Sequence, residues 1–275
     1  LAAAVMLTAG LAAGQAQAAS LTDVATLPQD GQTAIITGDA GATGTYDPET
    51  KEAEFNLIDI ISGDGALNGT INIISGAAGG SGNHITAALD YINISGTGTL
   101  SIKIKDANNA ATEGLLIGGL NNVTIDIGTI DVQTGLLKVT DGRGGHNCDV
   151  VLSADIINIG SENGGSEAYL TASSDSSSKS VTIGRAGETG KEDSVINVYG
   201  RGTLTLATTD GTGVTVKGES LTVASDGILI TKDGDSNKIS TANFTVEDGA
   251  FHVITSGTNG GTETFDGHTA TINGN

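Results

Sequence analysis

The stretch Asn122-Val123-Thr124-Ile125-Asp126-Ile127 alternates apolar and polar side chains and is rich in β-branched residues. A period of two residues places Val123, Ile125 and Ile127 on one face of a strand, so we expect Ile125 to lie in a hydrophobic core. Similar runs, separated by Gly, Asn, Asp or Ser, occupy residues 70–74, 91–94, 99–105, 155–159, 194–199, 203–206, 213–217 and 220–223. They predict a chain built almost entirely of short β-strands.

The composition distinguishes between two all-β architectures. Aromatic residues make up 3% of the chain, whereas Gly is abundant at 42 residues. A β-sandwich or barrel relies on larger core side chains, but a β-solenoid stacks small aliphatic residues in rows and turns its corners with Gly, Asn and Asp. Runs around Ile183, Leu204, Val223, Phe244 and Ile272 follow one another at roughly solenoid-coil spacing. We therefore predict an all-β, right-handed parallel β-helix with irregular coils.

The first residues differ from the rest of the chain. Residues 1–20 carry no charge and include the sequence Ala16-Gln17-Ala18, which is typical of a signal-peptidase site. Residues 1–18 are interpreted as a signal peptide without its basic n-region, with a transmembrane helix as the alternative. Residues 19–32 would then lead into the first coil, and residues 33–275 would form the solenoid.

The runs Gly202-Thr203-Leu204-Thr205-Leu206, Gly213-Val214-Thr215-Val216 and Gly218-Glu219-Ser220-Leu221-Thr222-Val223 resemble passenger regions of bacterial autotransporters. In that family a signal peptide precedes a right-handed β-helix, and a C-terminal β-barrel anchors it in the outer membrane. The resemblance implies that the reading frame continues past Asn275 through more coils into such a barrel.

The resemblance also implies a location and a role. We expect an exported protein, secreted or held at the outer membrane and cell surface of a Gram-negative bacterium, with a structural, adhesive or self-associating role. Its partners would be surface molecules of a host or neighbouring cell, or a second copy of the chain. A surface-layer or filament subunit and a carbohydrate-active β-helix enzyme, either a polysaccharide hydrolase or a lyase, are the alternatives.

The charge balance excludes other partners. Asp and Glu number 32 against 12 Lys and Arg, which gives a formal net charge of −20. Nucleic-acid binding and docking on anionic lipid both depend on clustered cations. We expect no nucleic-acid partner, and membrane contact only through the C-terminal barrel that the family resemblance implies.

Catalytic residues are not expected. A glycosidase needs two carboxylates on either side of one bond, but the adjacent acids Glu192-Asp193 and Glu247-Asp248 would point to opposite sides of a strand. A lyase acting on uronates needs cations, and the chain has three widely spaced Arg residues, Arg143, Arg185 and Arg201.

The densest group of reactive side chains lies between Asp141 and Asp149. It includes His146 and Cys148, a pair that could form a thiol–imidazole nucleophile if the two side chains met. The Gly-rich sequence instead predicts a polar loop between two strands. Cys148 is the chain's single cysteine and cannot form an intramolecular disulfide, so we expect an isolated, buried or half-buried side chain.

Metal and cofactor sites are not expected either. Residues 79–83 begin like a calcium-binding nonapeptide repeat, but His84 stands where Asp is required. Residues 233–237 begin like an EF-hand loop, but Lys238 replaces the turn Gly and Phe244 replaces the bidentate Glu. Both stretches are interpreted as solvated turns. His252 is expected to point outward from a strand.

Overall fold

The computed structural model describes part of the chain. The described residues are 33–37, 45–47, 52–54, 63–68, 70–73, 85–89, 92–104, 110–111, 114–118, 122–143, 146–163, 165–209, 212–232, 237–255, 264–265 and 269–272. Within them the protein is all-β, with strands and turns and no helix. Accordingly, none of this part of the chain is a helix of the length and apolar character that crossing a membrane requires. The proposed signal peptide and the residues up to 32 lie outside the described residues.

The described residues form twenty-three strands that follow one another along the chain. Their bounds are β1 Thr33–Thr37, β2 Thr45–Asp47, β3 Glu52–Glu54, β4 Gly63–Ala66, β5 Thr70–Ile73, β6 Ile85–Leu89, β7 Ile92–Ser95, β8 Thr99–Lys103, β9 Gly114–Ile117, β10 Val123–Thr140, β11 Gly142–Arg143, β12 His146–Asn147, β13 Val150–Ile159, β14 Ala168–Ser174, β15 Val181–Ile183, β16 Val195–Val198, β17 Gly202–Thr208, β18 Val214–Val223, β19 Ile228–Lys232, β20 Lys238–Val246, β21 Phe251–Thr255, β22 Thr264–Phe265 and β23 Thr269–Ile272.

Most pairings between these strands are parallel and fall into three columns. Column 1 contains β4, β7, the starts of β10 and β13, β15, the starts of β18 and β20, and β22. Column 2 contains β1, β5, β8, the middle of β10, the end of β13, β16, the ends of β18 and β20, and β23. Column 3 contains β6, β9, the end of β10, β14, β17, β19 and β21. The pairs β2–β3 and β11–β12 are antiparallel.

Strand β10 visits all three columns in succession. Its residues pair with β7 from Val123, with β8 from Thr129 and with β9 from Leu136. The chain then returns to column 1, where Val150 lies beside Val123. We call one such passage through columns 1, 2 and 3 a round.

The spacing of the runs around Ile183, Leu204 and Val223 was expected to reflect successive coils, but these runs lie in different columns. Ile183 lies in column 1, Leu204 in column 3 and Val223 in column 2, so these three runs lie on different sides of the molecule and are not equivalent strands. Equivalent strands in column 2 include those that place Val223 beside Val246 and Val246 beside Ile272.

The core consists of aliphatic side chains that stack in register from round to round. Ile125 is buried as predicted, with 2% of its surface exposed. The column 1 file that contains Ile125 consists of Ile94, Ile125, Leu152, Ile183, Val216 and Ile239. One of the column 2 files consists of Leu100, Ile130, Ile157, Ile196, Leu221 and Phe244. Because parallel register places like residues above one another, medium-sized aliphatic side chains fill most of the core, and Phe244 is the one aromatic among the buried hydrophobic residues of the described chain.

Glycine is required where β10 passes from one column to the next. A Cβ atom on Gly128, between columns 1 and 2, would lie 2.3 Å from the backbone oxygen of Thr97. Gly135, where column 3 begins, has φ of +95°, which side-chain-bearing residues rarely adopt. The close approach of neighbouring backbones at these corners explains part of the high glycine content.

Candidate functional site

An ionic cluster connects three rounds on the side of column 1. Arg185 follows β15, is 5% exposed, and donates from Nη1 to Asp126 Oδ1 and from Nη2 to Asp155 Oδ1. Lys191 forms a second ion pair with Asp126. We call Arg185, Asp126, Asp155 and Lys191 the Arg185 cluster; in it, one cation reaches back to carboxylates contributed by two earlier rounds.

The loop between β15 and β16 holds Arg185 in place. Arg185 Nε donates to the carbonyl oxygen of Glu192 at 2.9 Å, and the backbone N–H of Arg185 donates to Ser194 Oγ at 3.0 Å. Ser194 Oγ in turn donates to the carbonyl oxygen of Ala154. Gly187 N donates to Asp193 Oδ1 at 2.6 Å, which closes the loop on itself.

The cluster keeps Asp126 ionised. Burial by itself would raise the pKa of Asp126, but hydrogen bonds from Lys191 and Ser153 and the charges of Arg185 and Lys191 outweigh it and lower that pKa. Hydrogen bonds to Asp126 and Glu188 raise the pKa of Lys191. Asp126 is therefore a poor proton donor, and the cluster is suited to holding rounds together.

A second acidic group occupies the end of column 3. The carboxylate of Asp141 is fully buried and accepts hydrogen bonds from Ser174 Oγ at 2.8 Å, Asp175 N at 2.6 Å and Ser176 N at 3.1 Å. Asp175 accepts from the hydroxyl of Thr140 at 3.1 Å. We call Asp141, Ser174, Asp175 and Ser176 the Asp141 corner.

Burial dominates the electrostatics of this corner. It raises the pKa of Asp141, against the three hydrogen bonds, and the nearby charge of Asp175 raises it further. A general acid needs contact with its substrate, and the Asp141 side chain has no exposed surface. The hydrogen bonds of the Asp141 corner attach the turn after β14 to the preceding round.

Asn237 continues this polar corner two rounds later. Ser174 lies in register with Thr208, whose hydroxyl donates to Asn237 Oδ1 at 2.7 Å. Val214 N donates to the same oxygen at 3.0 Å, and Asn237 is fully buried. The prediction of a solvated turn is therefore wrong for Asn237, because its side chain provides the hydrogen bonds that this buried corner needs. Residues 79–84 and 233–236 lie outside the described part of the chain.

The segment from Asp141 to Asp149 is a short antiparallel hairpin of β11 and β12. Cys148 is fully buried, as expected, with its Sγ 4.0 Å from the carbonyl oxygen of Thr140. Its backbone N–H donates to the carbonyl oxygen of Asp141 at 2.8 Å. A thiol so enclosed cannot reach a substrate in this structure. The side chain of His146 lies outside the described part of the chain.

Other polar residues lie differently from the sequence prediction. Glu192-Asp193 and Glu247-Asp248 lie between strands, so the alternation expected of them does not apply. His252 occupies the inward file of column 3 after Leu204 and Leu229. Its ring meets that of buried Phe244 edge-on, with centroids 5.6 Å apart. The outward orientation predicted for His252 is wrong; its neighbours Phe251 and Val253 are the exposed residues.

The outer side of column 2 carries mainly uncharged side chains, most of them half-buried and Ser101 buried. We call it the column 2 face and define it by two files, Thr99, Thr129, Ile156, Val195, Ser220 and Asn243, and Ser101, Asp131, Asn158, Asn197, Thr222 and Thr245. These residues alternate with the buried core residues, so they lie on the opposite side of the sheet. Asn197 Nδ2 donates to Asn158 Oδ1 at 3.0 Å across two rounds.

These groupings bring together residues that are distant in the chain, so local sequence patterns could not predict them in full. The repeated Ile-Asn-Ile or Leu-Thr-Val pattern was a signal for the column 2 face, whereas no local pattern marked the Arg185 cluster. The described residues contain no group of three or more His, Cys, Asp or Glu side chains that could hold a metal ion. No protein-family model, curated protein or solved structure matches the chain.

Proposed function

We propose that the protein is an exported β-solenoid with a structural, adhesive or self-associating role, similar to the passenger segment of an autotransporter. The observation that carries the proposal is the path of β10, which passes through columns 1, 2 and 3 before the chain returns to column 1 beside its own start. A chain that repeats this passage winds into a coil, and we propose that the winding is right-handed, the usual hand of parallel crossovers.

The contacts of the described residues favour a scaffold. The Arg185 cluster and the Asp141 corner each join neighbouring rounds. Within each group, the polar side chains form hydrogen bonds with other members of the same group. In a solenoid each round contacts mainly its neighbours, so such links add stability without long-range packing. A rod of this kind can fold progressively and present a long side surface, which suits a molecule displayed outside the cell.

The test is surface labelling of intact cells of the source organism with antibodies raised against residues 19–275. Labelling before permeabilisation, and its loss after brief protease treatment of whole cells, is the expected result. A periplasmic protein serves as the control that must remain unlabelled. Signal that appears only after the inner membrane is opened would contradict the proposal.

Deleting the gene tests the role of the protein independently of where the protein is located. Loss of cell–cell settling or of attachment to surfaces, restored by the intact gene, would indicate adhesion or self-association. A deletion strain with ordinary settling and attachment but a disturbed surface layer would indicate a structural role.

A further inference from the structure

We propose that the column 2 face binds a neutral, β-linked polysaccharide, lying across the strands along the file of Asn158 and Asn197. This inference rests on the proposed function, because it names a ligand class for the side surface of an exported scaffold.

The charge of the face selects the class of ligand. Of its twelve residues, one, Asp131, is charged, and none is a cation. The chain as a whole carries a formal net charge of −20. An anionic polymer would meet repulsion from the acidic chain and find no Lys or Arg in either file, where the nearest cation in β8 is the exposed Lys103 at the border. An uncharged polymer would meet no such repulsion.

The middle of the face combines apolar and amide groups in adjacent files. Ile156 is 42% exposed and lies in register with Val195. Asn158 and Asn197 stand beside them, two residues further along each strand. A sugar ring presents C–H groups on its faces and hydroxyls at its edge, so it can pack on Ile156 and Val195 while its hydroxyls reach the amides.

The amides are available for such contacts. Asn158 Oδ1 accepts the hydrogen bond from Asn197 Nδ2. Among the described residues, Asn158 Nδ2 and Asn197 Oδ1 form no hydrogen bond. The Nδ2 group of Asn158 and the Oδ1 atom of Asn197 therefore remain for hydrogen bonds to a ligand, and both side chains are half-buried.

The periodicity of the face favours a polymer over a small sugar. Parallel strands lie about 4.8 Å apart, so the second file, from Ser101 to Thr245, places a polar side chain at each such interval along the face. An extended polysaccharide also repeats its hydroxyls at a constant interval, and several weak contacts along one chain add up by multivalency.

The experiment measures co-sedimentation of the purified chain with microcrystalline cellulose and with chitin, two neutral β-linked polysaccharides, and with calcium-free alginate beads as an anionic comparison. We expect binding to at least one neutral polymer and none to alginate. The variants Asn197→Asp and Ile156→Asp should each weaken that binding at least tenfold, because the first removes the amide that donates to Asn158 and the second removes the apolar surface on which a sugar ring packs. Thr215→Asp, on the outer side of column 1, is the matched control and should bind like the unaltered chain.

Melting temperatures of all variants show that they are folded, and Asn197→Ser is a second, uncharged test should Asn197→Asp melt early. Failure to bind cellulose and chitin, equal binding by the face variants, or equal binding to alginate would each overturn the proposal. So would self-association that Asn197→Asp abolishes in the absence of polysaccharide binding. Surface labelling of cells is independent of these results, so a surface-exposed chain that binds neither polymer would overturn this inference alone.

Discussion

Arg185 Nη1 donates a hydrogen bond to Asp126 Oδ1 although 59 residues separate them in the chain. The two residues belong to rounds that are not adjacent, and Asp155, the second acceptor of Arg185, comes from the round between them. One side chain thus spans three successive layers of the parallel strands. A substitution of Arg185 therefore tests how the rounds are held together.

Arg185→Ala is expected to destabilise the protein by about 2 kcal/mol, because Asp126 loses a charged hydrogen-bond donor in a largely buried position. Urea unfolding at neutral pH measures the change. Arg201→Ala is the matched control: the Arg201 side chain is 58% exposed and lies 3.5 Å from Glu167, and its loss should cost less than about 0.5 kcal/mol. Equal effects of the two substitutions would show that the Arg185 cluster does not stabilise the fold.

The pH dependence of Asp126 has a definite sign. Its pKa is lowered in the folded protein, so its stabilising contribution is present above the ordinary Asp pKa of about 3.9 and is lost as the pH falls through the lower folded value. Asp126→Asn should therefore be less stable than the unaltered chain at neutral pH, and the difference should shrink on acidification. Urea unfolding between neutral pH and the acid limit of folding measures it; a constant difference would contradict the assignment.

Asp141 should behave in the opposite way. Its pKa is raised in the folded protein, so ionisation costs stability as the pH rises from the ordinary Asp value through the folded one. The Asp141→Asn variant lacks this ionisation. Its free energy of unfolding, measured relative to that of the unaltered chain, should therefore increase as the pH rises through this range, whatever the difference between the two is at the acid end. The same unfolding series measures this trend, and a relative loss on raising the pH would refute it.

Substitution of a glycine where β10 passes from one column to the next should destabilise the protein. Gly128→Ala places a Cβ atom 2.3 Å from Thr97 O, and we expect a loss of about 2 kcal/mol from the forced separation of the backbones. Gly200→Ala is the control, because its Cβ would lie 3.5 Å from the nearest atom, Ser225 O, an ordinary contact distance. Thermal unfolding compares the two; similar melting temperatures would mean that the backbone yields freely at Gly128.

Asn237 should stabilise the protein without calcium. Its Oδ1 atom accepts hydrogen bonds from Thr208 and Val214, so Asn237→Ala should cost about 2 kcal/mol by leaving buried donors without a partner. Asn243→Ala, at an exposed position, is the matched control and should change little. Millimolar EDTA should leave the melting temperature of the unaltered chain in place. A large fall with EDTA, reversed by calcium, would instead require a metal site.

Periodicity was enough to predict the strands and the buried face around Ile125. It was not enough for the polar residues, because a period of two says which side a residue faces only while the strand continues. Glu192-Asp193 lies in a loop, where alternation has no meaning. His252 takes an inward position because register places it after Leu204 and Leu229, a relation that local sequence does not contain.

The sequence by itself determined that the described chain is all-β, since alternating β-branched residues can bury one face only as strands. Its glycine content and scarcity of aromatics favoured stacked parallel layers. Only the tertiary structure decided which strands are neighbours, that runs around Ile183, Leu204 and Val223 belong to three different columns, and that Asp126 meets Arg185. The physical reason is that strand pairing and ion pairing join residues tens of positions apart, and their partners depend on loop lengths and register, which no short stretch of sequence encodes.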